Sequence, residues 1–192
     1  MIRVGTDKFD LKCPETVYVI GSGPSLKHTH DKIPQDAFRV YLNGAVMVDG
    51  AKPDIWFGHC QTVPKNDWWM TAYKKYHNIS FFGSFITNLG YPAKYCFDFY
   101  NDLPKYEVIV GTTVAGIAMQ LFPYFGAKEV ILVGIDMTSN FRFDGTFNPQ
   151  NSSSKEDEQI RRINYVIDRA ECIYKSLGPT RFSIEEIEVE NI

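Results

Sequence analysis

A chain of 192 residues, 44% of them hydrophobic, is long enough to bury a substantial core without disulfides or metal. Its 20 Lys and Arg against 23 Asp and Glu, a formal net charge of −3, argue against a nucleic-acid partner, whose phosphates call for a basic face. No apolar run approaches the roughly 20 residues of a membrane-spanning helix, and the N-terminus, with Asp7, Lys8 and Asp10, lacks the pattern of a secretory signal, so the expected compartment is the cytoplasm.

Residues 1–14 read as an irregular arm or an edge strand. Thr16–Ile20 (TVYVI) is a short apolar run that reads as a buried strand and breaks at Gly21, after which two glycines bracket Ser22 ahead of Pro24 and Ser25. A Gly-Ser-Gly turn at the carboxyl end of a strand frees backbone N–H groups to face an anion, and that rim is where open α/β sheets bind ligands. It is neither of the two common phosphate motifs: GSGPSL lacks the third glycine of the dinucleotide fingerprint, and Lys27 is misplaced for a P-loop ending in GK[ST]. A tight turn without a ligand also accounts for the glycines.

Residues 27–35 are polar and closed by Pro34, which allows at most a short helix. Residues 37–42 alternate and hold Val, Tyr and Phe, a second strand ending at Asn43 and Gly44; a third spans 54–57, between Pro53 and Gly58. Apolar and aromatic residues at helical spacing predict a helix over 68–76, capped by Thr62 or Asn66, and 79–82 resume the strand pattern. The stretch 83–106 mixes turn residues with aromatics and predicts no defined element.

Gly111, Thr112 and Thr113 precede Val114, Ile117, Ala118 and Leu121, an amphipathic helix with Thr112 or Thr113 as N-cap. Gly126 ends it, and the strand 129–133 (EVILV) stops at Gly134, followed by Ile135 and Asp136. Residues 138–154 read as a surface loop or lid. From Lys155 a helix of about six turns carries Ile160, Ile163, Ile167, Ala170 and Ile173 along one stripe to a stop at Gly178 and Pro179, and 182–187 is a last strand. The alternation predicts a Rossmann-like α/β fold in a single domain over 1–192, a mostly parallel sheet with helices on both faces. Cys13, Cys60, Cys96 and Cys172 are widely spaced and read as free, mostly buried thiols.

The residues that carry chemistry fall at the ends of these elements. Gly21, Ser22, Gly23 and Ser25 form one candidate anion turn; the Thr112-Thr113 helix entry is a second, where unpaired N–H groups, two hydroxyls and the positive end of the macrodipole converge. A helix cap explains the second equally. Asn43, His59 and Asp136 each follow an expected strand and so share one rim: a carboxylate there suits ribose hydroxyls, and an asparagine suits a base edge or a phosphate. Solvent-facing loop positions are the plain alternative for all three. His28 and His30 lie in a polar stretch and read as solvated. The acidic residues show no metal-ligand spacing, so neither a metal nor another cofactor is expected.

With GSGPSL at 21–26, NGA at 43–45, PDIWFGH at 53–59 and FGAKEVILVGIDM at 125–137, the chain resembles the bacterial family of CMP-sialic-acid-dependent sialyltransferases. It is also similar to the related domain of motility accessory factors and of archaeal pterin pyrophosphokinases. The resemblance implies a metal-independent glycosyltransferase using a CMP-activated acidic sugar, in which Gly21, Ser22 and Gly23 meet the nucleotide phosphate. Asn43 and His59 stand where the family places asparagines near cytidine and phosphate, Thr112 and Thr113 match its Thr-Ser, and Asp136 matches its aspartate; Ser22 and His59 replace asparagines.

Beyond Asp136 the family uses two tyrosines on the leaving phosphate and a later histidine as general base. Here Thr138 and Phe141 or Phe143 stand at the tyrosine positions, and 150–157 holds no histidine. His59 or Asp144 is then left as the catalytic base, and Arg142, Arg161 and Arg162 either balance leaving-group charge or lie on the surface. A nucleotide-binding module without transfer is the first alternative. An ATP-using pyrophosphokinase is the second, and it lacks that family's aspartates after the third strand, where Gly58, His59, Cys60 and Gln61 stand. The expected partners are a nucleotide or nucleotide sugar and a carbohydrate acceptor; Trp68, Trp69 and the aromatic stretch 81–100 supply either an interface between copies or core.

Overall fold

Strand β1 (Thr16–Ile20) is apolar after Thr16 because both of its faces are covered: Val17 and Val19 pack into one layer, Tyr18 and Ile20 into the other, and all four are buried. The computed structural model describes residues 10–59, 62–98, 113–137, 142–146 and 153–187. Within them β1 is joined by β2 (Phe38–Leu42), β3 (Ile55–Gly58), β4 (Ser80–Gly83), β5 (Tyr95–Phe97), β6 (Glu129–Val133), β7 (Ile173–Leu177) and β8 (Glu185–Ile187). These described strands form one sheet in the order β5-β4-β3-β2-β1-β6-β7-β8, with every pair parallel.

One face carries the short helix α1 (Leu26–Thr29), α2 (Trp69–Tyr76) and α3 (Ser84–Thr87), whose Leu26, Trp69 and Ile86 pack with Ile20, Tyr41, Trp56 and Val133. The other face carries α4 (Val114–Leu121) and α5 (Ser153–Ile167), whose Ile117, Leu121, Ile160 and Ile163 pack with Val17, Val19, Val40 and Leu132. The sheet therefore has the doubly covered Rossmann-like architecture that the alternation of elements predicts. From β1 the chain steps outward to β5, then returns to the opposite side of β1 as β6. Loops leaving β1 and β6 meet at this reversal, the position at which such sheets bind ligands.

Several local expectations change. The stripe read as one helix to Gly178 divides: α5 stops at Ile167, and 173–177 is strand β7 on the free edge of β6. A helix over the whole stretch would be about 35 Å long, twice the length of the strands it covers. Pairing of β7 instead satisfies the backbone of β6 and buries Tyr174, Ser176 and Leu177.

Neither Thr62 nor Asn66 caps α2. Asn66 Nδ2 donates to the carbonyls of Thr62 and Val63, bracing the 3-10 turn Val63–Lys65. The undefined 83–106 region supplies α3 and β5. Residues 10–14 form no strand, and 1–9 lie outside the described residues. Cys13, Cys96 and Cys172 are free, but Cys96 is exposed and the other two are only half-buried, contrary to the expectation of mostly buried thiols; Cys60 lies outside the described residues. No helix among the described residues is long and apolar enough to cross a membrane.

Candidate functional site

The reversal point brings the glycine turn against the loop that follows β6. The Gly21 N–H donates to the Val133 carbonyl at 2.8 Å and the Gly23 N–H to the Gly134 carbonyl at 2.7 Å. A Cβ on Gly21 or on Gly23 would lie 2.7 Å from the Gly134 oxygen, and a Cβ on Gly134 would lie 2.7 Å from the Gly21 oxygen. The glycines are thus required by the approach of two backbones. Two of the turn amides expected to face an anion are spent on β6 and its loop; the Ser22 N–H has no partner among the described residues.

Asp136, 2% exposed, closes the same junction. Its Oδ2 accepts the Ser25 N–H at 2.7 Å and its Oδ1 accepts the Ser25 hydroxyl. Burial pushes its carboxyl above the ordinary range, and the Ser25 bonds oppose the shift. The sequence reading offers Asp136 to ribose hydroxyls; in the structure both its oxygens hold Ser25, so the residue fixes the entry to α1.

Asn43 follows β2, next to β1. Its backbone is left-handed, φ +46°, a conformation asparagine adopts more readily than other side chains. Trp56 of β3 holds it in place, the indole N–H donating to the Asn43 carbonyl at 2.9 Å. Trp68 lies over Gly44, where a Cβ would be 3.0 Å from the indole. The Asn43 Oδ1 is buried without a hydrogen-bond partner among the described residues. A buried acceptor left unpaired costs about 1–3 kcal/mol and calls for a donor from elsewhere.

His59 follows β3, two strands from β1, a separation of about 10 Å at ordinary strand spacing. It packs toward the far edge of the sheet, its ring centroid 5.2 Å from Phe85 and 5.5 Å from Phe97, nearly parallel to the latter. Burial pushes its imidazole down to about 4. General bases work best with a pKa near the operating pH, so these surroundings suit a packed imidazole better than a proton acceptor.

Thr113 caps α4, its hydroxyl accepting the Gly116 N–H at 3.2 Å; Thr112 lies outside the described residues. Thr138 and Phe141 also fall outside them, whereas 142–146 form a turn seated on the glycine turn, the Phe143 N–H donating to the Ser22 carbonyl at 3.0 Å. Asp144 in this turn is exposed, and its Oδ1 accepts both the Thr146 N–H at 2.9 Å and the Thr146 hydroxyl at 2.6 Å. Burial is the largest single influence on its carboxyl and raises it, but the Thr146 bonds and Arg142 together outweigh burial and hold the carboxyl below the usual value. Arg162 pairs with Glu158 along α5, and Arg161 is exposed.

A cleft of about 740 Å³ opens beside the turn, lined by Pro24, Lys27, His30, Asp49, Arg142 and Phe143 among others. His30 is not solvated as its polar neighbours imply. Its side chain is 10% exposed, its Nε2 lies 2.8 Å from the Tyr41 hydroxyl, and burial lowers its pKa. Its only visible sequence signal was Tyr41 at a strand position facing the same layer. Among the described residues no three His, Cys, Asp or Glu side chains converge as a metal site.

The structure therefore assembles the glycine turn, Asn43 and Asp136 on three adjacent strand ends and sets His59 apart. The sheet order and its doubly covered faces define a Rossmann-like α/β fold. Solved structures with the same fold include the sialyltransferase CstII of Campylobacter jejuni in complex with CMP-3FNeuAc, 16% identical, with 90% of this chain matched to 86% of that one at a TM-score of 0.57. The monofunctional alpha-2,3-sialyltransferase Cst-I of the same organism is 15% identical, with 95% of this chain matched to 85% of that one at a TM-score of 0.61. CstII in complex with cytidine-5′-monophosphate matches at a TM-score of 0.56 and 15% identity, over 93% of this chain and 88% of that one. No family model matches the sequence, and no curated protein is similar to it in sequence.

Proposed function

We propose that this chain binds a CMP-activated acidic sugar at the ends of β2, β1 and β6 and transfers the sugar to a carbohydrate acceptor without a metal. The observation that carries the reading is the Asn43 Oδ1, buried and without a partner among the described residues, held in a left-handed backbone on the strand end next to the glycine turn. An acceptor atom needs a donor, which a phosphate at neutral pH does not offer; the exocyclic amine of cytosine and a ribose hydroxyl both do. The Ser22 N–H, without a partner among the described residues, is the group of the turn we assign to the phosphate. The likeness to sialyltransferases solved with CMP and CMP-3FNeuAc supports cytosine as the base.

In the transfer, the acceptor hydroxyl forms its bond to the anomeric carbon and gives its proton to the Asp144 carboxylate in the cleft lining, as the bond to phosphate breaks and CMP leaves with the electron pair. Arg142, half-buried in the cleft lining next to the Phe143 that bonds Ser22, offsets the charge that develops on the leaving phosphate. A second reading, nucleotide binding without transfer, is favoured by the two nominated bases: His59 has its imidazole near 4, and Asp144 has one oxygen committed to Thr146.

Calorimetry with CMP, CDP, UDP and ATP, each with and without magnesium, tests the binding step. The proposal expects metal-independent preference for CMP and at least a tenfold loss in Asn43→Ala, about the 1.4 kcal/mol of one good hydrogen bond to a buried group. Equal affinity for all four nucleotides, or none for any, refutes it. Release of CMP from a CMP-sugar in the presence of acceptors separates the two readings, and turnover unchanged by His59→Ala removes His59 as base.

A further inference from the structure

The 178–184 connection between β7 and β8 lies outside every segment that the sequence marks as functional, yet it grips the loop that carries Asp136. The Thr180 hydroxyl donates to the Ile135 carbonyl at 3.1 Å, and the Arg181 N–H donates to the Asp136 carbonyl at 3.2 Å. The Arg181 Nη1 reaches the Met137 carbonyl at 3.4 Å, and its Nη2 pairs with Asp157 Oδ1 at 2.8 Å. Three consecutive carbonyls after β6 are thus held from one connection. Met137 needs such a hold, because its backbone is left-handed at φ +55° without being glycine.

From these contacts we infer that Arg181 is a positioning residue for the glycine turn, acting through Met137 and Asp136 on Ser25. The chain of contacts is continuous. Asp157 on α5 anchors the guanidinium, the guanidinium and the Arg181 backbone hold Met137 and Asp136, and the Asp136 carboxylate holds the Ser25 N–H and hydroxyl. Ser25 in turn is the N-cap residue of α1, whose Lys27 and His28 line the cleft. A change at Asp157 or Arg181 therefore reaches the turn without touching a ligand. The arm of the test that reads nucleotide affinity rests on the proposed function; the arm that reads the Ser25 amide does not.

The test compares wild type with Arg181→Ala, Arg181→Lys and the charge-swapped pair Arg181→Asp with Asp157→Arg, with Arg162→Ala as control on the same helix. Amide spectra of labelled protein report the Ser25 and Gly23 N–H resonances, and calorimetry reports CMP affinity. Arg181→Ala is expected to move both resonances and to weaken CMP about two- to thirtyfold, the range seen for coupling through packed networks. Because the Arg181 and Asp157 side chains are 43% and 63% exposed, the melting temperature should move by no more than about 3 °C.

Lysine, which makes one contact at a time, restores part of both effects. The swapped pair restores the ion pair but has no donor for the Met137 carbonyl, so a positioning role predicts no rescue. Resonances unmoved in Arg181→Ala, full rescue by the swap, or an equal effect of Arg162→Ala overturns the inference, as does unchanged affinity in an Arg181→Ala protein whose wild type binds CMP. If the wild type binds no nucleotide, the proposed function falls, and the amide resonances alone decide the role of Arg181.

Discussion

Replacing Asp136 separates what its charge does from what its hydrogen bonds do. In Asp136→Ala the Ser25 N–H and hydroxyl lose their acceptors at a site that is 2% exposed. An unsatisfied buried donor costs about 1–3 kcal/mol, and bonds to a charged acceptor contribute about 1.5–3 kcal/mol. Against this stands burial itself, which raises the Asp136 pKa and so disfavours the charged form in the folded state. The net loss expected is about 2 kcal/mol, and with a urea slope of about 2–3 kcal/mol/M the midpoint should fall by about 0.7–1 M. In Asp136→Asn one amide oxygen still accepts the Ser25 N–H, the amide nitrogen donates to the hydroxyl, and the charge is gone. That midpoint should stay within about 0.3 M of wild type at neutral pH.

The sign of the pH dependence follows from the same shift. A carboxyl raised in the folded state binds its proton more tightly there than in the unfolded chain. The destabilisation from its charge is fully present above the folded pKa and disappears as pH falls through the ordinary carboxylate value. Asp136→Asn should therefore flatten this part of the wild-type curve. The reasoning fails if the alanine variant unfolds within 0.3 M of wild type, taking about 0.3 M as the resolution of the midpoint, or if asparagine is as damaging as alanine.

Three further outcomes check other parts of the structure. Gly134→Ala places a Cβ 2.7 Å from the Gly21 oxygen at φ +62° and should cost at least about 3 kcal/mol, whereas Gly145→Ala, at φ +80° in open space, should cost about 1 kcal/mol; urea midpoints give both values. Thr113→Ala removes the cap of α4 and should cost about 1 kcal/mol by the same measurement, with Thr113→Ser restoring most of it. His59, pushed down to about 4 in the folded state, contributes stability above the unfolded value of about 6.5 that is lost as pH falls toward 4. Its ring proton shift should stay flat from neutral pH down to about 5, and an inflection near the ordinary histidine value in that titration refutes the burial argument.

The rim itself was legible. Gly21, Asn43, His59 and Asp136 each follow an apolar run, and parallel strands put all their carboxyl ends on one side. Legibility ended where a residue's partner is distant in sequence. His30 looks solvated until Tyr41 is laid beside it, and β7 looks helical because its Ile173 continues the stripe of α5. Nothing in the local composition of 178–184 marks Thr180 or Arg181, since both act on carbonyls more than 40 residues away.

By itself the sequence determined the class of fold and which residues stand at the strand ends, because burial on both faces of a strand demands continuous apolar runs and turns demand Gly, Asn and Pro. Only the tertiary structure decided what each of those residues does. The Gly21 and Gly23 amides are spent on β6 and its loop, Asp136 on Ser25, and His59 lies among phenylalanines, while the Asn43 Oδ1 is left buried and without a partner among the described residues. The physical reason is that a polar group's role is set by which partner saturates it, and for the glycine turn and Asp136 those partners lie more than 100 residues away in the chain.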